Sequence, residues 1–123
     1  MLLRVLSELK EIRAIDGVRL REILNPVHGD PPILGYSLAH AILEPGQQSQ
    51  PHLLRTASEV YYILSGEGVM SIDNEEKMVR EGDAIYIPPG AVQFIRNSGR
   101  EELRFLCIVS PPWRAEDEAL YRP

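Results

Sequence analysis

The chain has 123 residues, enough for one domain that buries its own core without covalent or metal staples. With 44% hydrophobic and 25% charged residues it reads as a soluble globular protein. A net charge of −5, with the 13 Lys and Arg scattered rather than in a run, argues against nucleic acid and anionic membrane as partners, because both need a basic face. The single cysteine, Cys107, cannot form an intrachain disulfide. Arg4, Glu8 and Lys10 break the N-terminal apolar run before it reaches the length of a signal-peptide core. No stretch approaches the ~20 apolar residues of a membrane span. A cytoplasmic protein is the expectation.

In chain order, Leu2, Leu6, Leu9 and Ile12 suit a helical stripe, while LLRVL equally suits an edge strand, so the first dozen residues stay open. Strands are expected at VRLREIL (18–24) and YSLAHAIL (36–43), separated by the Pro/Gly/Asn-rich loop NPVHGDPP (25–32). EVYYILSG (59–66) carries the strongest strand signal, and GVMSID (68–73) pairs back on it. MVREGD (78–83), DAIYIPPG (83–90), VQFIRN (92–97) and ELRFLCIVSPP (102–112) follow, and AEDEALY (115–121) suits a short helical turn. Roughly nine short strands at regular spacing, without repeat or linker, imply a single all-β domain over residues 1–123, a sandwich or barrel.

The glycines and prolines carry a second pattern. Gly46 stands six residues before His52, and Glu59 seven before Gly66; Gly82 stands six before Pro88, which is followed by Gly90 and then Asn97. Gly46, Gly66 and Gly82 lie where hairpins need positive φ. Pro88 and Gly90 end a strand, and Asn97 can cap backbone groups at a strand end. Two segments, 46–66 and 82–97, thereby match in order and spacing the two motifs of the cupin superfamily, which this chain resembles over a core of about residues 34–110.

The resemblance implies a double-stranded β-helix, or jelly-roll, barrel with a pocket between its sheets. It also implies a divalent metal held by three histidines and a glutamate. Two of those positions differ: Leu54 replaces the second histidine of the first motif, and Gln93 replaces the histidine of the second. His52, Glu59 and Gln93 remain as candidate ligands. A stable transition-metal site usually takes three or four good donors, so a weak or substoichiometric Mn, Fe, Zn or Ni site is expected, with oxygen-weighted ligation favouring Mn. His40 joins as an extra ligand if its side chain points inward; otherwise it is a hydrogen-bonded, half-buried histidine. His28 reads as solvated.

Strand alternation extends the site. If Glu59 points inward, so do Tyr61 and Ile63; if Gln93 does, so does Ile95; Phe105 and Cys107 share an inner face, and Leu54 completes the expected pocket. The opposite face, with Val60, Tyr62, Leu64, Leu106 and Ile108, is also apolar, so a cover is expected, either the N-terminal segment or a second subunit. Homodimers are usual in the resembled family, and one is expected here. Trp113 should pack back on the barrel or the partner chain, and Glu116 to Glu118 read as a solvated face.

Three functions stay open: a binder of a small molecule such as a sugar or carboxylate, a metal-dependent dioxygenase, isomerase or decarboxylase, and a structural dimer module.

Overall fold

Turn residues and period-2 alternation divide the chain into eleven strands, which the computed structural model describes over all residues 1–123. They are β1 (Ile12–Arg13), β2 (Arg19–Leu24), β3 (Ser37–Leu43), β4 (His52–Leu54), β5 (Ser58–Ser65), β6 (Glu67–Ile72), β7 (Glu75–Arg80), β8 (Ala84–Ile87), β9 (Gln93–Asn97), β10 (Leu103–Ser110) and β11 (Glu118–Leu120). One sheet runs β1-β2-β3-β10-β5-β8 and faces a second that runs β11-β4-β9-β6-β7. All the pairings are antiparallel. This is the all-β double-sheet barrel that the spacing implies.

Helical structure is confined to 3-10 turns at Leu6–Glu8, Pro26–His28 and Ala115–Asp117. The N-terminal stripe thus gives a single turn and the short strand β1. The Pro26–His28 turn lies inside the chain, within the loop expected at 25–32, and not at a terminus. In the tail the turn covers only Ala115–Asp117, and Glu118–Leu120 pair with β4 as an edge strand instead of continuing a helix.

The positive φ expected of these glycines is present, but Gly46, Gly66 and Gly82 lie where the chain crosses from one sheet to the other (β3 to β4, β5 to β6, β7 to β8) and not in hairpins, and β6 pairs with β7 and β9 instead of back on β5. Gly46, Gly66, Gly82 and Gly90 all have positive φ, between 79° and 89°. Gly66 is needed for space as well: a Cβ there would lie 2.7 Å from the Glu102 carbonyl oxygen. Asn97 caps as expected, its Nδ2 donating to the Leu43 and Glu101 carbonyls at 2.8 Å each and its Oδ1 accepting from the Gly99 N–H at 2.9 Å.

The core fills one end of the space between the sheets with Leu43, Ile63, Met70, Ile87, Ile95 and Leu103, all at most 3% exposed. Burying side chains of this size contributes about 1.5–3 kcal/mol each. The outer face of the six-stranded sheet is partly covered by the N-terminal segment. Arg21 on that face donates through Nε to the Leu9 carbonyl at 3.2 Å, and its cross-strand neighbour His40 is buried at 4% exposed. Tyr62 and Tyr86 on the same sheet stay 41% and 60% exposed.

The tail folds back onto the barrel through one carboxylate. Asp117, 3% exposed, accepts from the Thr56 N–H and hydroxyl through Oδ1 (2.9 and 2.7 Å) and from the Ala57 N–H through Oδ2 (3.0 Å). The stretch Glu116–Glu118 is therefore no solvated face: only Glu116 is exposed. Burial disfavours the charged form of Asp117, but the hydrogen bonds from Thr56 and Ala57 and the nearby Arg114 outweigh it and hold the group below the usual carboxylate range. A depressed carboxyl contributes stability that is whole above its unfolded pKa, ~3.9, and is lost as pH falls through the lower folded value. Asp117→Asn, which turns an amide N–H toward one of these donors, should lower stability by about 1–3 kcal/mol at pH 7 in urea melts. The gap to wild type should narrow at pH 3, and equal stabilities at pH 7 would show that the tail is anchored elsewhere.

Candidate functional site

The end of the barrel opposite the core is hollow. Strand β3 presents Ser37, Ala39 and Ala41 inward, opposite Val109, Cys107 and Phe105 of β10. The small side chains that β3 turns inward beside them leave a cavity of about 290 Å³. Further along the same strands Leu43 and Leu103 lie side by side and the interior closes.

Glu59 and Tyr61 of β5 and His52 of β4 line this cavity with Phe105 and Cys107. Tyr61 and Phe105 stack obliquely, with ring centroids 4.6 Å apart. His52 Nδ1 lies 2.8 Å from the Gln50 carbonyl, which can only accept, so Nδ1 carries the proton. Its Nε2 is turned toward Asp16 Oδ2 at 3.5 Å. Gln93, cross-strand partner of His52 and 1% exposed, donates from Nε2 to Glu59 Oε1 at 2.9 Å. The Oε1 of the same amide has no partner. Three residues of the expected ligand set therefore converge in the barrel interior, with Gln93 behind Glu59 rather than in the cavity wall.

The other expected pocket residues separate. Leu54 shares the inner face of β4 with His52 but packs with Ala57, Val109 and Trp113. Ile95, fully buried, belongs to the closed core. His40 points away from the cavity that its neighbours Ala39 and Ala41 line, because alternate residues of a strand face opposite sides. It sits on the outer face beside Leu106 and Arg21, so the inward parity needed of a ligand does not occur. His28 is exposed and lies 2.6 Å from Glu22 Oε2.

Several lining residues are distant in sequence from both motifs. Residues 12–16, Val18, Leu20 and Glu22 form one wall, and Trp113, Ala115 and Glu118 of the tail another. Asp16, 6% exposed, holds its loop in place by accepting the Gln50 N–H at its carbonyl (2.8 Å). Trp113 donates from Nε1 to Glu118 Oε1 at 3.3 Å. Only Trp113 had a visible signal, a large aromatic just after a strand-ending Pro-Pro pair.

The electrostatics follow from burial among carboxylates. Desolvation pushes the Glu59 carboxyl up to about 8, with Glu118 and Asp16 adding repulsion and the Gln93 hydrogen bond opposing it. Burial also raises Glu118, with His52 pulling it down and Asp16 pushing it up. Tyr61 and Cys107 are driven up mainly by desolvation, so at neutral pH both keep their protons.

The metal of the resembled family can be tested against these donors. Positions 54 and 93 supply no imidazole, and Gln93 is engaged with Glu59. No three His, Cys, Asp or Glu side chains come together in a metal-holding arrangement. The residues present do not fit a tightly held transition metal.

An antiparallel double-sheet barrel with polar groups gathered around a cavity at one end defines a small β-barrel protein. The chain belongs to the Cupin domain family, whose model matches residues 39–109. It is similar to an uncharacterized protein of Methanocaldococcus jannaschii, 42% identical over 103 residues, 83% of this chain and 80% of that one. An oxalate-binding protein of Thermotoga maritima is 33% identical over 67 residues, 54% of this chain and 55% of that protein. The crystal structure of a predicted oxalate decarboxylase from Thermotoga maritima matches with a TM-score of 0.75 at 27% identity, covering 90% of this chain and 99% of that one.

A buried acid with a raised pKa weakens the fold once pH exceeds its unfolded value. The penalty is absent below an unfolded pKa of ~4.3 and complete above the folded value of about 8. Glu59→Gln removes it. The variant should melt at nearly the wild-type temperature at pH 4.5 and be more stable at pH 8.5. At ~1.4 kcal/mol per pKa unit the gain has a ceiling of about 5 kcal/mol. A variant less stable than wild type at pH 8.5 would mean that Glu59 is ionised and paired in the folded protein.

Proposed function

We propose that this cupin barrel binds a small organic molecule in its end cavity and that its divalent-metal site is weak and atypical. The observation that carries the reading is the cavity itself: about 290 Å³, walled mostly by apolar side chains, with His52, Glu59, Tyr61 and Asp16 converging in it. Few polar groups in a mostly apolar concavity are how small-molecule sites gain specificity. At the ~30 Å³ a water molecule takes in the liquid, the space suits a ligand of roughly ten non-hydrogen atoms.

A metal-dependent enzyme acting on a small oxygenated substrate is the second reading. The retained His52 and Glu59, the free Gln93 Oε1 and the likeness to an oxalate-binding protein and a predicted oxalate decarboxylase support it. The donor set favours the first reading: a leucine at 54 and an amide at 93 stand where imidazoles would hold the ion.

Two measurements separate the readings. Elemental analysis of purified protein should give substoichiometric divalent metal, removed by a chelator without change in melting temperature; stoichiometric, chelator-resistant iron or zinc would reverse the preference. Replacing Leu54 and Gln93 together by His should then raise Zn²⁺ affinity by orders of magnitude in calorimetric titration, and no gain would mean that positions 52, 54, 59 and 93 do not converge. For the cavity, Ala39→Leu places a larger side chain opposite Cys107. It should abolish binding of fragments found by ligand-observed NMR while the protein stays folded, and undiminished binding would put the ligand elsewhere.

A further inference from the structure

Resting on the proposal that the cavity takes a small molecule, we infer that its ligand is an uncharged compound with one carbonyl or hydroxyl oxygen on an apolar body, held by a hydrogen bond from the Tyr61 hydroxyl. Tyr61 is 3% exposed and lines the cavity. Its hydroxyl bonds to no group of the protein, yet the side-chain atoms sealed away without a partner are His40 Nδ1 and Gln93 Oε1 alone. The Tyr61 oxygen therefore opens onto space and is not closed in by packing. Glu59, Cys107, Asp16 and Glu118 are the ionisable groups that act on it, and all four line the same cavity. A hydroxyl so placed normally finds a partner.

A second unspent donor lines the same walls. Ser37 Oγ accepts the Trp113 N–H at 2.9 Å, and its own hydrogen has no acceptor in the protein. Both hydroxyls can donate to an oxygen on a guest.

The charged groups around the space are already engaged. Asp16 accepts the Val18 N–H at 3.2 Å and faces His52 at 3.5 Å. Glu118 accepts from Trp113 at 3.3 Å and Glu59 from Gln93 at 2.9 Å. Glu22 is held by Asn25 and His28, each at 2.6 Å. Arg13 keeps free N–H donors beyond the one spent on the Gly17 carbonyl, but it is exposed, where water screens an ion pair and leaves it little strength. A guest that carried a charge inward would lose its hydration and find no unpaired counter-charge.

The walls set the rest of the guest. Most lining side chains are hydrophobic, and Phe105 stacks on Tyr61 among them. A polyol would bring more hydroxyls than these two donors can pair, and each unpaired one weakens binding. One oxygen on a hydrocarbon body matches the walls.

The experiment compares probes of one shape that differ in the head group: 4-phenylbutan-2-one, 4-phenylbutan-2-ol, 4-phenylbutan-2-amine and 3-phenylpropionate, then 2-heptanone, 2-heptanol, 2-heptylamine and hexanoate. Butylbenzene is the oxygen-free control and xylitol the polyol. Binding to the full chain is followed by calorimetry at pH 7. In at least one series the ketone or the alcohol should bind roughly tenfold tighter than the amine and the carboxylate, and xylitol should not bind. Tyr61→Phe keeps the ring and its stacking. It should leave the melting temperature of the free protein unchanged, weaken the best uncharged probe about fivefold and leave butylbenzene unaffected.

If a charged probe or xylitol binds as tightly as the best uncharged one, the inference fails and the small-molecule cavity stands. If Tyr61→Phe leaves that probe's affinity unchanged, the hydroxyl is not its contact; if the variant melts lower, the hydroxyl is held by the protein. Either result overturns the inference. If no probe binds at millimolar concentration the inference also fails, and the Ala39→Leu fragment test decides the cavity reading separately.

Discussion

The pairing register of β3, β10 and β5 governs both what fills the barrel and what stays empty. Phe105 pairs with Ala41 on one side and Ile63 on the other; Cys107 pairs with Ala39 and Tyr61; Val109 pairs with Ser37 and Glu59. Because side chains alternate with a period of exactly two, a slip of one residue would send every one of these groups to the outer face. The same register puts Leu43 and Leu103 together at the far end, where the interior is solid. Core and cavity are therefore two halves of one pattern. The difference between them is the size of the residues β3 turns inward: Ser37, Ala39 and Ala41 at one end, Leu43 at the other.

The polar residues inherit their properties from that placement. Glu59 sits in the hollow half, two residues from Tyr61 and across from Val109, so it is desolvated without a cation to pair with. Its remaining partner is the Gln93 amide. A carboxyl in such surroundings lowers its energy by keeping its proton, and a neutral carboxyl hydrogen-bonded to an amide is a stable buried pair. Without an ion nearby, protonation removes the carboxylate charge; a divalent ion at the family position would compensate it instead.

Much of this was legible in the sequence because it depends on local chemistry. Gly66 announces a sharp turn between two strands, because a side chain takes its φ only with strain and would meet the Glu102 carbonyl. The inward set Glu59, Tyr61, Phe105 and Cys107 follows from alternation once one member is placed. Alternation stops being informative where both faces of a strand are apolar. In SLAHAIL nothing local says which way His40 points, and the N-terminal segment that helps to cover its face is far away in sequence. Leu54 and Ile95 illustrate a different limit. Both face inward, as alternation requires, yet a face is not a cavity wall, and which inward residues border empty space depends on the volumes of their partners. Asp16 and Glu118 lie outside both motifs, and only the folding of a loop and a tail onto the barrel mouth brings them to the site.

That closure has a consequence for how the site is built. The barrel contributes His52, Glu59 and apolar walls, whereas the loop and the tail contribute Asp16, Glu118 and Trp113. The added elements thus bring carboxylates into a space that already holds a carboxyl group, an arrangement that is unfavourable unless something positive or a proton sits among them. Each carboxylate is given a specific neighbour instead of being left to repel the others: Asp16 faces His52, Glu118 accepts from Trp113, and Glu59 accepts from Gln93. None of these neighbours is a permanently charged lysine or arginine, so the negative character is moderated but not cancelled. A barrel closed only to complete its core would have no need for this. Leu54, Ala57 and Val109 with Trp113 already form an apolar seal, and carboxylates on the cavity side of that seal add nothing to packing. Their presence sets the electrostatic character of the empty half of the barrel.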